Sequence, residues 1–203
     1  MTLTPGWRAF GLCRPAALVL AAALLAGITA PARAADRPII GVADYYALQP
    51  PPVFVLTDPE QYAADVSAGA LIRAGGPALT VLPRGEIRGA ERKLGWRTHD
   101  ALNFSRLQAL GRATQADRVV VGWITRIVVY RQDFALFDAS AAITTQVFDT
   151  QQGRIIWQHD TYASGLAGSP DFALEIALDR AVTAGVRAAV PTLSAPVDRT
   201  PAP

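Results

Sequence analysis

The chain of 203 residues has 51% hydrophobic residues, 19 Lys+Arg and 17 Asp+Glu, a composition too apolar for a disordered protein. Its formal charge of +2 belongs to the N-terminal stretch, where residues 1–34 hold Arg8, Arg14 and Arg33 and no acid. The remainder carries 16 basic and 17 acidic residues, so charge gives no argument for nucleic acid and none is expected as a partner, and the single Cys13 rules out an intrachain disulfide and a cysteine-ligated cluster.

Arg8 and Arg14 precede an apolar run at 16–30, and Ala32-Arg33-Ala34 follows with small residues at the cleavage positions. This pattern predicts a signal peptide over 1–34, the alternative being an uncleaved anchor. The run has 15 residues, short of the roughly 20 that span a bilayer. Cys13 lies before the run, the wrong place for a lipidation cysteine. The expectation is a periplasmic protein, with secretion as second choice. It has one domain over 35–190 and a disordered tail over 191–203, and it is peripheral to the membrane at most.

Residues 38–43 read as a first strand, stopped by Pro50-Pro51-Pro52. Val53 to Leu56 read as a short strand or an apolar loop. Asp58-Pro59 opens a helix over 59–74, with Tyr62, Ala63, Val66, Ala70 and Leu71 as its apolar side and Gly75-Gly76-Pro77 as its stop. Residues 78–82 make a second strand. The charged run RGEIRGAERKLG at 84–95 reads as a loop. A helix over 101–111 follows, with Asp100 as its cap and Phe104, Leu107 and Leu110 facing inward.

Residues 119–157 are the organising stretch. VVVGWITRIVVY is apolar on both alternating sets: Val119, Val121, Trp123, Ile127 and Val129 on one, Val120, Ile124 and Val128 on the other. That fits an interior strand covered on both faces. Ala141, Ile143, Thr145 and Val147 alternate in the next strand. Asp149 to Gly153 break the pattern as a turn, and Ile155-Ile156-Trp157 resume it. Residues 165–170 read as a loop of small residues. A last helix over 172–189 packs through Phe172, Ile176, Ala177, Ala181, Ala184 and Ala188 and ends before Pro191. The fold class is therefore α/β: a single domain with a central mixed sheet, a β-meander and about three packed helices.

Three phrases, ALTVLPRGEI, LQALGRATQADRVVVGWITRI and QVFDTQQGRIIWQHD, follow the helix at 59–74 in that order. The last resembles the Asp–x–x–x–Gly–x–(Ile/Val)–x–Trp phrase of the curli-secretion channel family. Related domains occur in the N-terminal part of the Tol–Pal propeller protein and in lipoproteins that activate peptidoglycan synthases. The resemblance covers 38–190. Asp117 and Gly122 match at the strand entry, and Asp149, Gly153 and Trp157 match in the hairpin phrase. It implies a soluble accessory protein for envelope assembly, secretion or transport, with an envelope protein as partner. No pair of long amphipathic hairpins supplies a membrane barrel.

Chemistry-bearing motifs are scarce. His99-Asp100 and His159-Asp160 are the catalytic candidates, in a small hydrolase or ligand-binding enzyme using His99, His159 and Asp160. Two histidines without ligand spacing predict no metal site, and no phosphate or dinucleotide glycine pattern predicts a cofactor. Trp123 and Trp157 sit among apolar residues and read as core. Trp96 sits among charges and is the candidate partner anchor.

Overall fold

The computed structural model describes residues 37–49 and 58–197. The leader and the 53–56 segment read from the sequence lie outside the described residues, as does the tail beyond 197. β-Branched residues fill β4 (Arg118–Arg131), and the sheet is built around it. Strand order is β3-β1-β4-β5-β6, with β1 at Ile39–Val42, β3 at Thr80–Val81, β5 at Phe137–Asp149 and β6 at Arg154–Ala167. The short β2 (Tyr46–Ala47) also lies on β4. β1 runs parallel to β3 and β4, while β4, β5 and β6 form an antiparallel meander. The sheet is mixed, as expected.

Each face of β4 serves a separate core. Val120 and Ile124 join Ile40, Val42, Ile143 and Val147 under α1 (Pro59–Gly75) and α4 (Pro170–Leu193). Val119 and Val121 join Ile87, Leu107, Leu110 and Phe148 on the other face, under α2 (Arg84–Leu94) and α3 (Phe104–Thr114). Each fully buried Leu, Ile or Phe here contributes roughly 1.5–3 kcal/mol. A register shift between Ile124 and Arg126 leaves Thr125 as an extra residue and reverses the alternation beyond it. Ile127 and Val129 therefore pack on the core of Val120, and the expected set that joined them to Val119 is split by this bulge.

The domain has four helices in place of about three, because residues 84–94 are helical. Ile87, Ala90 and Glu91 are buried on one side, and the charges lie elsewhere around the helix. Gly95 ends it at φ +61°, its N–H donating to Glu91 and Arg92 carbonyls. Charge density concealed a 3.6-residue period. α3 is capped by Asn103 and not by Asp100. Phe104 is largely exposed, its ring 5.7 Å from that of Phe148. α4 turns inward a side that includes only half of the expected residues: Ala177 and Ala181 are buried and Ile176 packs on the core, joined by Ala173, Leu174, Leu178, Val182 and Val186, whereas Phe172, Ala184 and Ala188 are exposed. The alanine-rich composition made neighbouring stripes look alike. β6 runs through Ala167 and α4 starts at Pro170, so half of the expected loop at 165–170 is strand and only 168 and 169 connect the two.

α4 also continues through Pro191 to Leu193. Proline lacks the N–H for its own helical bond, but the turn is held from outside. The buried Arg118 donates from Nη1 to the carbonyls of Thr192 (2.8 Å), Leu193 (2.7 Å) and Ala195 (2.9 Å). Thr192 and Leu193 belong to the last turn, whose carbonyls lack the usual intrahelical donor, and Ala195 lies just beyond it. Burial pushes the guanidinium pKa down, and Asp149 and Asp117 oppose that shift.

Candidate partner-binding cleft

α2 places Trp96 one residue beyond its left-handed Gly95. The Trp96 N–H donates to the Glu91 carbonyl at 2.8 Å, which folds the indole back along the helix. The ring is half-buried and packs against the core of Ile87 and Val119. Among the described residues its Nε1 is buried without an acceptor, as is Nε of Arg88. Beside it lies a cleft of about 220 Å³ lined by Asp44, Gln61, Arg88, Glu91, Arg92 and Trp96. That is below the roughly 300–1,000 Å³ of drug-sized pockets, so the cleft suits a single side chain or small ring.

Most charges around the cleft are paired off. Arg84 bridges Asp44 and Asp65 and also donates to the Val42 carbonyl. Arg88 binds Asp65 at 2.8 Å. Glu91 differs. It is only 4% exposed, and among the described residues its carboxylate accepts one hydrogen bond, from the Asp44 N–H to Oε1 at 3.0 Å. Burial raises its pKa first and the Asp44 charge second, against Arg84 and Arg88. Arg92 is exposed in the last turn of α2. A buried acid with a raised pKa beside an indole is an arrangement built at a stability cost.

The catalytic candidates are not brought together. His99 is exposed in the 3₁₀ turn Thr98–Leu102, and its neighbour Asp100 is occupied. Asp100 Oδ2 accepts from the Arg97 N–H at 2.8 Å and from Arg106 Nη2 at 2.9 Å. Burial pushes that carboxyl up, but the Arg97 N–H and Arg106 outweigh it and hold the pKa below its usual value. His159 is exposed on β6, its ring 5.8 Å from that of Trp157. Asp160 points to the opposite face, as strand alternation requires, and accepts from the Thr144 hydroxyl at 2.6 Å. Neither histidine lines the Trp96 cleft. A wider depression of about 330 Å³ at the β4–β5 turn is lined by four consecutive residues, Arg131 to Phe134, with no second element converging on it.

The residues of the family phrase sit at joints of the fold. Asp117 accepts the Ile39 N–H at 2.8 Å, tying β1 to the entry of β4. Asp149 Oδ1 accepts from the N–H groups of Gln151 (3.0 Å) and Gln152 (2.8 Å), and Gly153 follows at φ +65°. Gly122 lies under the ring of Tyr45. Trp157 packs at the margin of the core beneath α4. Sequence reasoning missed Asp44, Arg84 and Glu91. The available signal was Glu91 itself, an acid four residues after Ile87 on the inward stripe of an amphipathic helix, legible only once α2 is seen as a helix.

Fold and cleft together define an α/β domain with two helices on each face of a mixed sheet and a small cleft around Trp96. Among the described residues no group of His, Cys, Asp and Glu is arranged to hold a metal, and no helix is long and apolar enough to cross a membrane. No family model matches the sequence, and no curated protein matches it. Solved structures do. The crystal structure of lipoprotein GNA1162 from Neisseria meningitidis is 15% identical, with 72% of this chain and 96% of that chain covered at a TM-score of 0.52. A PelC dodecamer from Paraburkholderia phytofirmans is 16% identical, covering 74% and 86% with a TM-score of 0.49. The C-terminal domain of LpoB from Salmonella enterica is 16% identical, covering 62% and 82% at 0.42. At such identities the likeness to GNA1162 is one of fold, and it agrees with the fold-level resemblance read from the sequence.

Proposed function

We propose that this protein is a non-catalytic periplasmic accessory protein of an envelope assembly, secretion or transport machine, and that it captures a protein partner at the Trp96 cleft. The observation that carries this reading is the cleft: a half-buried indole and a nearly fully buried carboxylate share one small concavity, while the two histidines stand apart from it. Tryptophan beside a desolvated polar group is the common composition of an interface anchor. The fold likeness to a lipoprotein supports the envelope setting, as does the leader pattern at 1–34.

The test places a photo-crosslinking side chain at position 92, on the rim, and compares partner capture from envelope extract by the otherwise wild-type chain and by Trp96→Ala. Trp96→Ala is expected to weaken capture by about 2 kcal/mol, roughly thirtyfold. The ring also packs on its own core, so the comparison is made well below both melting temperatures. Equal capture by the folded Trp96→Ala protein would remove the cleft from the interface.

A further inference from the structure

We infer that the cleft receives a cationic side chain of the partner, a lysine ammonium or an arginine guanidinium, held between the Glu91 carboxylate and the Trp96 ring. This rests on reading the cleft as the partner site and adds the chemistry of what enters it.

The argument is one of charge compensation. Arg84 and Arg88 are paired with Asp44 and Asp65, two cations with two anions, and only Arg88 Nε is left without an acceptor among the described residues. Arg92 is the remaining cation of the lining, and it is exposed, where water solvates it and its long stem lets it swing aside. Glu91 is the remaining anion, and it is shielded from water with one neutral N–H as its only hydrogen-bond donor among the described residues. An ionised carboxylate in that position feels Arg84 and Arg88 only at a distance, both already paired with other carboxylates, and a charge-assisted bond from an entering cation supplies a direct counter-charge. The indole adds a face over which a cation is attracted. An anionic side chain could pair with Arg92, since Arg88 is taken by Asp65, but it would share the cleft with the Asp44 and Glu91 carboxylates. A neutral one would leave Glu91 uncompensated. The volume admits one side-chain terminus and little more.

The test uses the full chain and four small probes: Nα-acetylarginine amide, Nα-acetyllysine amide, the uncharged arginine isostere Nα-acetylcitrulline amide, and Nα-acetylglutamate amide. Binding is followed by the NMR shift of the Trp96 indole N–H, assigned from its loss in Trp96→Phe. The arginine and lysine probes are expected to give saturable shifts, weakened at least tenfold in Glu91→Gln, with citrulline and glutamate probes giving none. Gln keeps the acceptor for the Asp44 N–H, so the fold should hold. A second variant, Arg92→Gln, lies at the exposed rim and should tighten the cationic probes about threefold at low salt by removing a like charge. The inference is overturned if neither cation saturates by about 100 mM, past the millimolar range of a single contact. It is equally overturned if citrulline amide binds as well as arginine amide, or if Glu91→Gln and Arg92→Gln leave the cations unchanged. Partner capture separates the two claims. Capture that needs Trp96 but ignores Glu91→Gln sinks the cation and keeps the cleft; capture indifferent to Trp96→Ala sinks both.

Discussion

Replacing Gly122 by alanine tests how the centre of the sheet is built. A Cβ at this position would stand 2.5 Å from Tyr45 Cε1 and closer still to the carbonyl oxygen of Thr144 on β5. Neither neighbour is free to retreat. The Tyr45 ring is fully buried and its hydroxyl is hydrogen-bonded to Ser67 Oγ at 2.8 Å. The Thr144 oxygen belongs to the strand paired with β4. Overpacking of this kind costs about 1–3 kcal/mol, and losing the Tyr45–Ser67 bond adds about 1 kcal/mol. The lower entropy of the unfolded alanine chain returns about 0.4–1 kcal/mol. The net is a loss of about 1–3 kcal/mol, or a fall in Tm of roughly 2–12 °C for a domain of this size. Thermal and urea unfolding of Gly122→Ala should be compared with Gly85→Ala in α2, where a Cβ has nothing within 4 Å and a small gain is expected. In Gly122→Ala/Tyr45→Leu, the smaller side chain should make the combined loss less than the sum of the two single losses. A Gly122→Ala protein as stable as wild type would refute the close-approach argument.

Glu91→Gln should stabilise the protein at neutral pH. The folded pKa of Glu91 is raised above its ordinary 4.5 by burial first and Asp44 second, so ionisation favours the unfolded chain and stability falls as pH rises through the interval above 4.5. The Tm difference between variant and wild type should be near zero in acid and widen toward neutrality; a gap independent of pH would contradict this. Arg118→Met keeps the apolar stem but leaves the carbonyls of Thr192, Leu193 and Ala195 without their donor, and should cost about 2 kcal/mol or more, with faster amide exchange confined to the last turn of α4. The double variant His99→Ala/His159→Ala should fold within about 0.5 kcal/mol of wild type and capture partner normally; lost capture with an intact fold would return the histidines to the functional site.

The meander was legible because its signals are local. β-Branched alternation marks β4 and β5, and Asp149 to Gly153 mark the turn between β5 and β6. What escaped the sequence depended on residues far apart in the chain. The bulge at Thr125 is a property of pairing with β5 and changes which core Ile127 and Val129 enter. The inward stripe of α4 is chosen by the sheet beneath it, since alanine offers several nearly equivalent faces. α2 was hidden by its charges, and with it the cleft. Trp96 was singled out from its charged neighbours, but those neighbours do not show that the core around Ile87 and Val119 half-buries it. Nor does local sequence show that Glu91 reaches the backbone of Asp44, 47 residues away.

The parallel pairing of β1 with β4 has a consequence for how the molecule is assembled. Ile39 and Asp117, bonded at the joint of these strands, are 78 positions apart, whereas β4, β5, β6 and α4 follow one another without interruption. Antiparallel neighbours joined by short turns close cheap loops and form early; a parallel strand returning over such a distance forms late. β1, the earliest of the described strands in the chain, is thus expected to be seated after the meander. Until it is seated, the edge of β4 at Arg118, Val119 and Val120 stands open, a template of the kind that pairs with other chains. Slow seating of residues 39–42 would therefore lengthen the period in which this edge of the central strand is exposed.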